Sequence, residues 1–131
     1  MIEIERDSNI NEDGFDIDLH DIYVRKTKEY GEIVIDGFEW IEFFATDGVY
    51  VTETDNDKKK SYAVEFVVYF SGSDSELEKY KIIENKWHSE DTWEEIVPPK
   101  RVYDSFIKWL TTDYYTDVSL EAYESYMAID Y

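Results

Sequence analysis

Residues 61–70, Ser-Tyr-Ala-Val-Glu-Phe-Val-Val-Tyr-Phe, decide the fold class that the sequence predicts. Apolar side chains occupy every second position from Tyr62 to Phe70, and a period of two is typical of a β-strand with one face in the core. The flanking segments 55–60 and 71–75 are polar, so they predict connections at both ends of this strand.

The chain before this strand predicts a meander of further strands. Apolar and acidic residues alternate in 2–5 and again in 15–19, which predicts half-buried strands with their carboxylates pointing outward. A change of phase at His20-Asp21 predicts a bulge or turn. Asp36-Gly37 is a two-residue hairpin signal, and Thr46-Asp-Gly48 predicts another turn. The strands predicted around these signals are 22–28, 33–35, 38–45 and 49–54.

The C-terminal part changes its period. Residues 76–88 fit either a helix face or another strand, and the polar turn before them favours the strand. Pro98-Pro99 predicts the start of a helix. Helical spacing then follows, and 113–117 interrupts it before a second helix that Asp117 or Ser119 would cap. The apolar residues at helical spacing are Val102, Phe106, Trp109 and Leu110.

These elements predict an α+β fold in a single domain, 1–131. The predicted architecture is an antiparallel sheet of about five to seven strands with two C-terminal helices packed on one face. A chain of 131 residues is near the usual size of one domain. The aromatic residues predicted to lie in its core are Phe66, Phe70, Phe106 and Trp109.

The charge balance favours a role in binding macromolecules. The chain has 32 acidic and 13 basic residues, for a net charge of -19. A solubility requirement alone is met by a net charge of about 2 to 8 in magnitude. The excess argues against direct contact with nucleic acid or anionic membranes and fits a basic protein partner. The absence of cysteine and of a signal-peptide pattern predicts a cytoplasmic protein.

The sequence contains no convincing catalytic or metal-binding motif. His20-Asp21 has no identifiable nucleophile to serve. Residues 9–14 match only the first half of a calcium loop, which favours a polar turn. Carboxylate pairs have no specificity among 32 acids. We therefore predict no enzyme activity, catalytic residue, metal site or cofactor.

Acidic residues are segregated along the chain, and this segregation predicts the partner-binding residues. Residues 29–57 contain nine acids and no base. The acidic C-terminal stretch adds tyrosines, which are common in interfaces. Asp36 and Asp47 are expected at hairpin tips. The predicted contact residues are Asp16, Asp18, Asp36, Glu39, Glu42, Asp47, Asp113, Tyr114, Tyr115 and Asp117.

In size and charge the chain resembles the small acidic phage proteins that block CRISPR nucleases or restriction enzymes. The resemblance covers no motif. It implies an inhibitor that imitates nucleic acid and occupies the basic groove of a nuclease or another nucleic-acid-binding enzyme, in the host cytoplasm if a phage encodes it. The alternatives are an immunity protein that neutralises a basic toxin and an acidic adaptor or structural module.

Overall fold

The structure, a computed structural model, describes residues 1–29 and 32–128, with side chains described outside 25–37. An antiparallel sheet is followed by a C-terminal helix packed against it, so the predicted α+β fold is confirmed. The strands are β1 (Ile2–Arg6), β2 (Asp16–Glu29), β3 (Glu32–Asp55), β4 (Lys58–Gly72) and β5 (Leu77–Ser89). The helical segments are α1 (Lys100–Trp109), a π-helical turn (Leu110–Tyr114) and α2 (Tyr115–Met127).

The long strand β3 is the axis of the sheet. On one side it pairs with β1 and β2, which lie end to end, and on the other side with β4, which in turn pairs with β5. The junction between β1 and β2 lies opposite Asp47 and Gly48, since Arg6 pairs with Val49 and Asp16 pairs with Thr46. Residues 7–15 leave the sheet at this point. β1 and β2 therefore form one edge with an insertion in it.

Two of the predicted turns are wrong. β3 runs unbroken through Thr46-Asp-Gly48 and through Asp36-Gly37. Asp36 and Gly37 lie where the register between β2 and β3 shifts, so they form an irregularity within a strand, another common use of glycine. The bulge predicted at His20 is confirmed by the register shift between Leu19 and Asp21. The strand interpretation of 76–88 is confirmed by β5.

The core lies between the helices and one face of the sheet. Side chains at alternate positions of β3 and β4 point toward the helices and are buried, which explains the period of two in 61–70. Phe66 packs edge-on against Phe106 and Tyr114, with ring centroids 5.5 and 5.3 Å away. The predicted core residues Phe66, Phe70 and Phe106 are buried, and Trp109 packs on them partly exposed.

The predicted interruption at 113–117 is wrong, because the helix continues through it. The N–H of Tyr115 donates to the carbonyl of Leu110, five residues back, which defines a π turn. The hydroxyls of Thr111 and Thr112 bond to carbonyls of the preceding turn, a pattern that locally disturbs α-helices. The extra residue in the turn lets the adjacent Tyr114 and Tyr115 both face the core.

Candidate partner-binding face

The face of the sheet that points away from the helices is here named the open face. On β3 it carries the residues that alternate with the buried ones, among them Glu42, Phe44 and Thr46. Among the described residues, α1, the π turn and α2 all pack on the other face. Residues 11–13 of the insertion border the open face, where they line a cleft of about 250 Å³ with Thr46 and Glu65.

The edge of the open face formed by β1 and β2 carries a line of carboxylates, here named the acidic column. The strand register places its members opposite the open-face residues of β3. Neighbours on one strand face are about 6.7 Å apart. The column runs from the level of Thr52 to that of Glu42, about 33 Å at the usual rise per residue. Its members, all exposed, are Glu3, Glu5, Asp16, Asp18 and Asp21.

Aromatic rings lie beside the acidic column. The ring of Phe44, directly opposite Asp18, is 5.0 Å from that of His20 and 5.3 Å from that of Tyr69. Tyr23 is 61% exposed and lies opposite Trp40. The indole of Trp40 donates to a carboxylate oxygen of Glu42 at 3.1 Å. The face therefore offers carboxylates and π surfaces side by side.

Lysines occupy the opposite edge of the open face. Lys79 and Lys81 pair with Ser71 and Tyr69 of β4, and Lys86 pairs with Glu65. Three strand spacings, about 14 Å, separate β5 from β2. This distance exceeds the Debye length of about 8 Å at physiological salt. The lysines consequently do little to neutralise the acidic column.

Asp47 lies in the core rather than at a hairpin tip, so its prediction as a contact residue is wrong. Its carboxylate is 0% exposed and accepts four hydrogen bonds. The donors are Arg6 Nε at 3.0 Å, Ser8 Oγ at 2.9 Å, Tyr114 Oη at 3.0 Å and the N–H of Gly48 at 2.8 Å. This group, here named the Asp47 knot, joins β1, the insertion, β3 and the helix.

The charges in the Asp47 knot stabilise each other. Burial of Arg6 would lower its pKa, but the hydrogen bond to Glu121 and the charges of Asp47 and Glu121 raise the pKa above its usual value. Burial, followed by the charge of Asp47, raises the pKa of Tyr114. Arg6 therefore stays a cation and Tyr114 stays a neutral donor, as the Asp47 carboxylate requires.

The other predicted contact residues are divided between the two layers. Asp16, Asp18 and Glu42 come together on the open face, and Glu39 is exposed beside Trp40. Asp113 and Asp117 are exposed on the helix layer, away from these four. Tyr114 and Tyr115 are 0% and 4% exposed, so their prediction as contact residues is wrong, because the π turn directs both into the core. The side chain of Asp36 lies outside the described residues.

Some acidic residues of the stretch 29–57 form ion pairs, although the stretch itself contains no base. Its missing bases come from distant parts of the chain. Arg101 binds Glu53 in the bidentate manner, at 2.8 and 2.7 Å, and Arg6 binds Asp47 at 3.0 Å. The hydrogen bond from Arg101 lowers the pKa of Glu53. Glu53 and Asp47 therefore serve the fold.

Sequence reasoning missed part of the open face. Glu3, Glu5 and Asp21 were not predicted as contact residues, and neither were the rings of Tyr23 and Phe44. The alternation of 2–5 did show that Glu3 and Glu5 point outward. Alternation along one strand does not show, however, that β1 and β2 pair with the same edge of β3. This pairing puts all five carboxylates in one line.

Comparison of the chain with protein-family models, with curated proteins and with solved structures returned no match. Over the part of the chain that the structure describes, no helix is both long enough and apolar enough to cross a membrane. Within the same residues, no three His, Cys, Asp or Glu side chains are grouped to hold a metal ion.

Proposed function

We propose that this protein inhibits a nucleic-acid-binding enzyme by occupying the basic groove that holds the nucleic acid. The acidic column is the observation that carries the proposal. Five exposed carboxylates follow one sheet edge for about 33 Å, and lysines on the far edge are too distant to neutralise them. A basic groove built for phosphates would accept such a line.

The scale of the column is comparable with that of a nucleic-acid backbone. One strand of duplex DNA carries a phosphate per about 3.4 Å of axis, and the five carboxylates average one per about 8 Å over the column, about two fifths of that linear density. The net charge of -19 adds a long-range field that steers a basic partner toward the protein. Partner recognition then comes from the exposed groups on the open face.

The class of inhibitor proposed is the phage type that blocks a CRISPR nuclease or a restriction enzyme in the host cytoplasm. The support for this class is the small size and high acidity of the chain. The role requires no catalysis and no cofactor. It requires a rigid acidic surface, which the sheet supplies.

Capture and displacement test the proposal. The immobilised protein is incubated with host lysate, bound proteins are identified, and duplex and single-stranded DNA and RNA are then added as competitors. We expect a nucleic-acid-binding enzyme that nucleic acid displaces and that the protein inhibits. Capture of a toxin without nucleic-acid competition supports the immunity role instead. A stable complex that still binds nucleic acid supports the adaptor. Either result, or no capture, overturns the mimicry.

Charge reversal locates the contact. The double variant Asp16→Lys with Asp18→Lys changes the acidic column, and Glu76→Lys with Glu78→Lys changes net charge equally on the helix side of the β4–β5 connection. We expect the first variant to associate at least about tenfold more slowly at low salt, and the second to resemble the parent. Equal slowing in both variants would mean that net charge alone matters. Loss only in Asp113→Lys with Asp117→Lys would place the contact on the helix layer.

A further inference from the structure

The open face exposes aromatic rings, which an inhibitor that binds through charge alone would not need. Tyr23 is 61% exposed, and His20, also exposed, packs at a tilt of 57° against the ring of the half-buried Phe44. These rings do not belong to the hydrophobic core, which lies between the helices and the other face of the sheet. The exposed rings therefore call for an explanation that net charge does not provide.

Duplex and single-stranded nucleic acids differ in the combination of groups they expose. In a duplex the bases are stacked and paired inside, and phosphates dominate the outer surface. A single strand shows phosphates and the π faces of its bases together. Proteins that bind single strands accordingly combine a cationic track with side chains that stack on bases.

The open face has the same two components in neighbouring strands. The acidic column lies on β1 and β2, and Phe44 and Trp40 lie one strand away on β3, about 4.8 Å across the sheet. Tyr23 continues the ring surface on β2 itself, two residues beyond Asp21. Guanidinium groups, which bind carboxylates and also stack on rings, complement both components.

A second copy of this chain fits the open face less well than a basic partner does. Among the described side chains, the carboxylates of the face outnumber its lysines, so two such faces would repel each other even with opposite edges aligned. These carboxylates are those of the acidic column with Glu42, Glu65 and Glu84, and these lysines are Lys59, Lys79, Lys81 and Lys86. Charge complementarity therefore selects a cationic occupant.

We propose that the groove occupied by this protein is one that binds single-stranded nucleic acid, with the acidic column in the place of phosphates and the rings of Tyr23, His20 and Phe44 in the place of bases. This inference rests on the proposed inhibitory function and specifies its target class. It predicts that the partner contributes stacking side chains as well as cations.

Competition with defined oligonucleotides tests the inference. The complex with the captured enzyme is titrated with oligothymidylate of about 20 nucleotides and with a duplex of equal length, each longer than the column. We expect the single strand to displace the protein at concentrations at least about tenfold lower than the duplex. Equal or better displacement by the duplex overturns the inference and leaves the inhibitory function standing. Displacement by neither competitor defeats the inhibitory function as well.

Ring removal provides a second measurement with a matched control. Tyr23→Thr removes an exposed ring from the open face, and Tyr80→Thr removes a 42% exposed ring from β5 on the helix side. Loss of one stacking ring corresponds to about 5- to 150-fold in affinity, so we expect Tyr23→Thr to weaken the complex by that factor and Tyr80→Thr to leave it unchanged. Melting curves confirm that both variants fold. Parental affinity in Tyr23→Thr would contradict the stacking role.

Discussion

Replacing Asp47 by alanine tests whether the Asp47 knot holds the fold together. The substitution removes a fully buried carboxylate and leaves the hydroxyl of Tyr114 buried with no acceptor. An unsatisfied buried hydroxyl costs about 1–3 kcal/mol, and a lost hydrogen bond to a charged group such as Arg6 about 1.5–3 kcal/mol. Ser8 is half-buried and can turn to water. We therefore expect the free energy of unfolding to fall by about 3–5 kcal/mol, a large part of the usual 5–15 kcal/mol.

Urea unfolding followed by circular dichroism measures this loss. Asp18→Ala is the control, an exposed aspartate on a strand, and we expect it to change the free energy of unfolding by no more than about 0.5 kcal/mol. In a double-mutant cycle with Arg6→Met, we expect a coupling of about 1–3 kcal/mol between Arg6 and Asp47. A loss below about 1 kcal/mol for Asp47→Ala would refute the account of the knot as a source of stability.

Three further predictions concern stability. Gly48→Ala places a Cβ 2.8 Å from Ile10 Cβ and 2.9 Å from the Asp7 carbonyl, so we expect a loss of about 1–3 kcal/mol in urea unfolding; an unchanged midpoint would mean that the insertion yields freely. Tyr62→Phe removes a buried hydroxyl that has no hydrogen-bond partner, so stability should hold or rise by up to about 3 kcal/mol, and a clear loss would indicate an unseen partner. Glu53 has a lowered pKa, so its bond to Arg101 stabilises the fold above the usual glutamate pKa and is lost as the pH falls through the lowered value. Glu53→Gln should therefore be less stable than the parent at neutral pH and approach it in acid; a constant difference between the two at all pH values would contradict this origin.

Local patterns predicted the strands but misassigned two Asp-Gly pairs. Alternation in 61–70 depends only on which side chains face the core, so the strand followed directly. Asp47-Gly48 has the residue types of a tight turn but lies within a strand, where the two residues have other roles. Asp47 accepts the bonds of the knot, and Gly48 leaves room for Ile10. Nothing within a few residues of the pair distinguishes these two uses.

The candidate site was predictable only where it depends on a single strand. The outward direction of Asp16 and Asp18 follows from alternation, and the structure agrees. The partners of Asp47 and Glu53 are 41 and 48 residues away, so charge counted along the sequence overestimated the unpaired acids of 29–57. Tyr114 and Tyr115 were expected to be exposed, and the π turn buries both of them. The spacing of residues in the sequence does not predict a π turn.

The arrangement of the acidic column has an energetic cost that the fold itself does not explain. Three neighbouring pairs in the column, Glu3 with Glu5, Asp16 with Asp18, and Asp18 with Asp21, are each about 6.7 Å apart. Each such pair repels by about 0.6 kcal/mol in water before screening, whereas a lysine 14 Å away returns about 0.3 kcal/mol and is screened more strongly. The Asp47 knot stabilises this alignment of carboxylates. It holds residues 7–15 out of the sheet, so that β1 and β2 pair with the same edge of β3. The cations of a basic groove laid along that edge would offset these repulsions by attraction, and this cost supports the proposal that the column binds a partner.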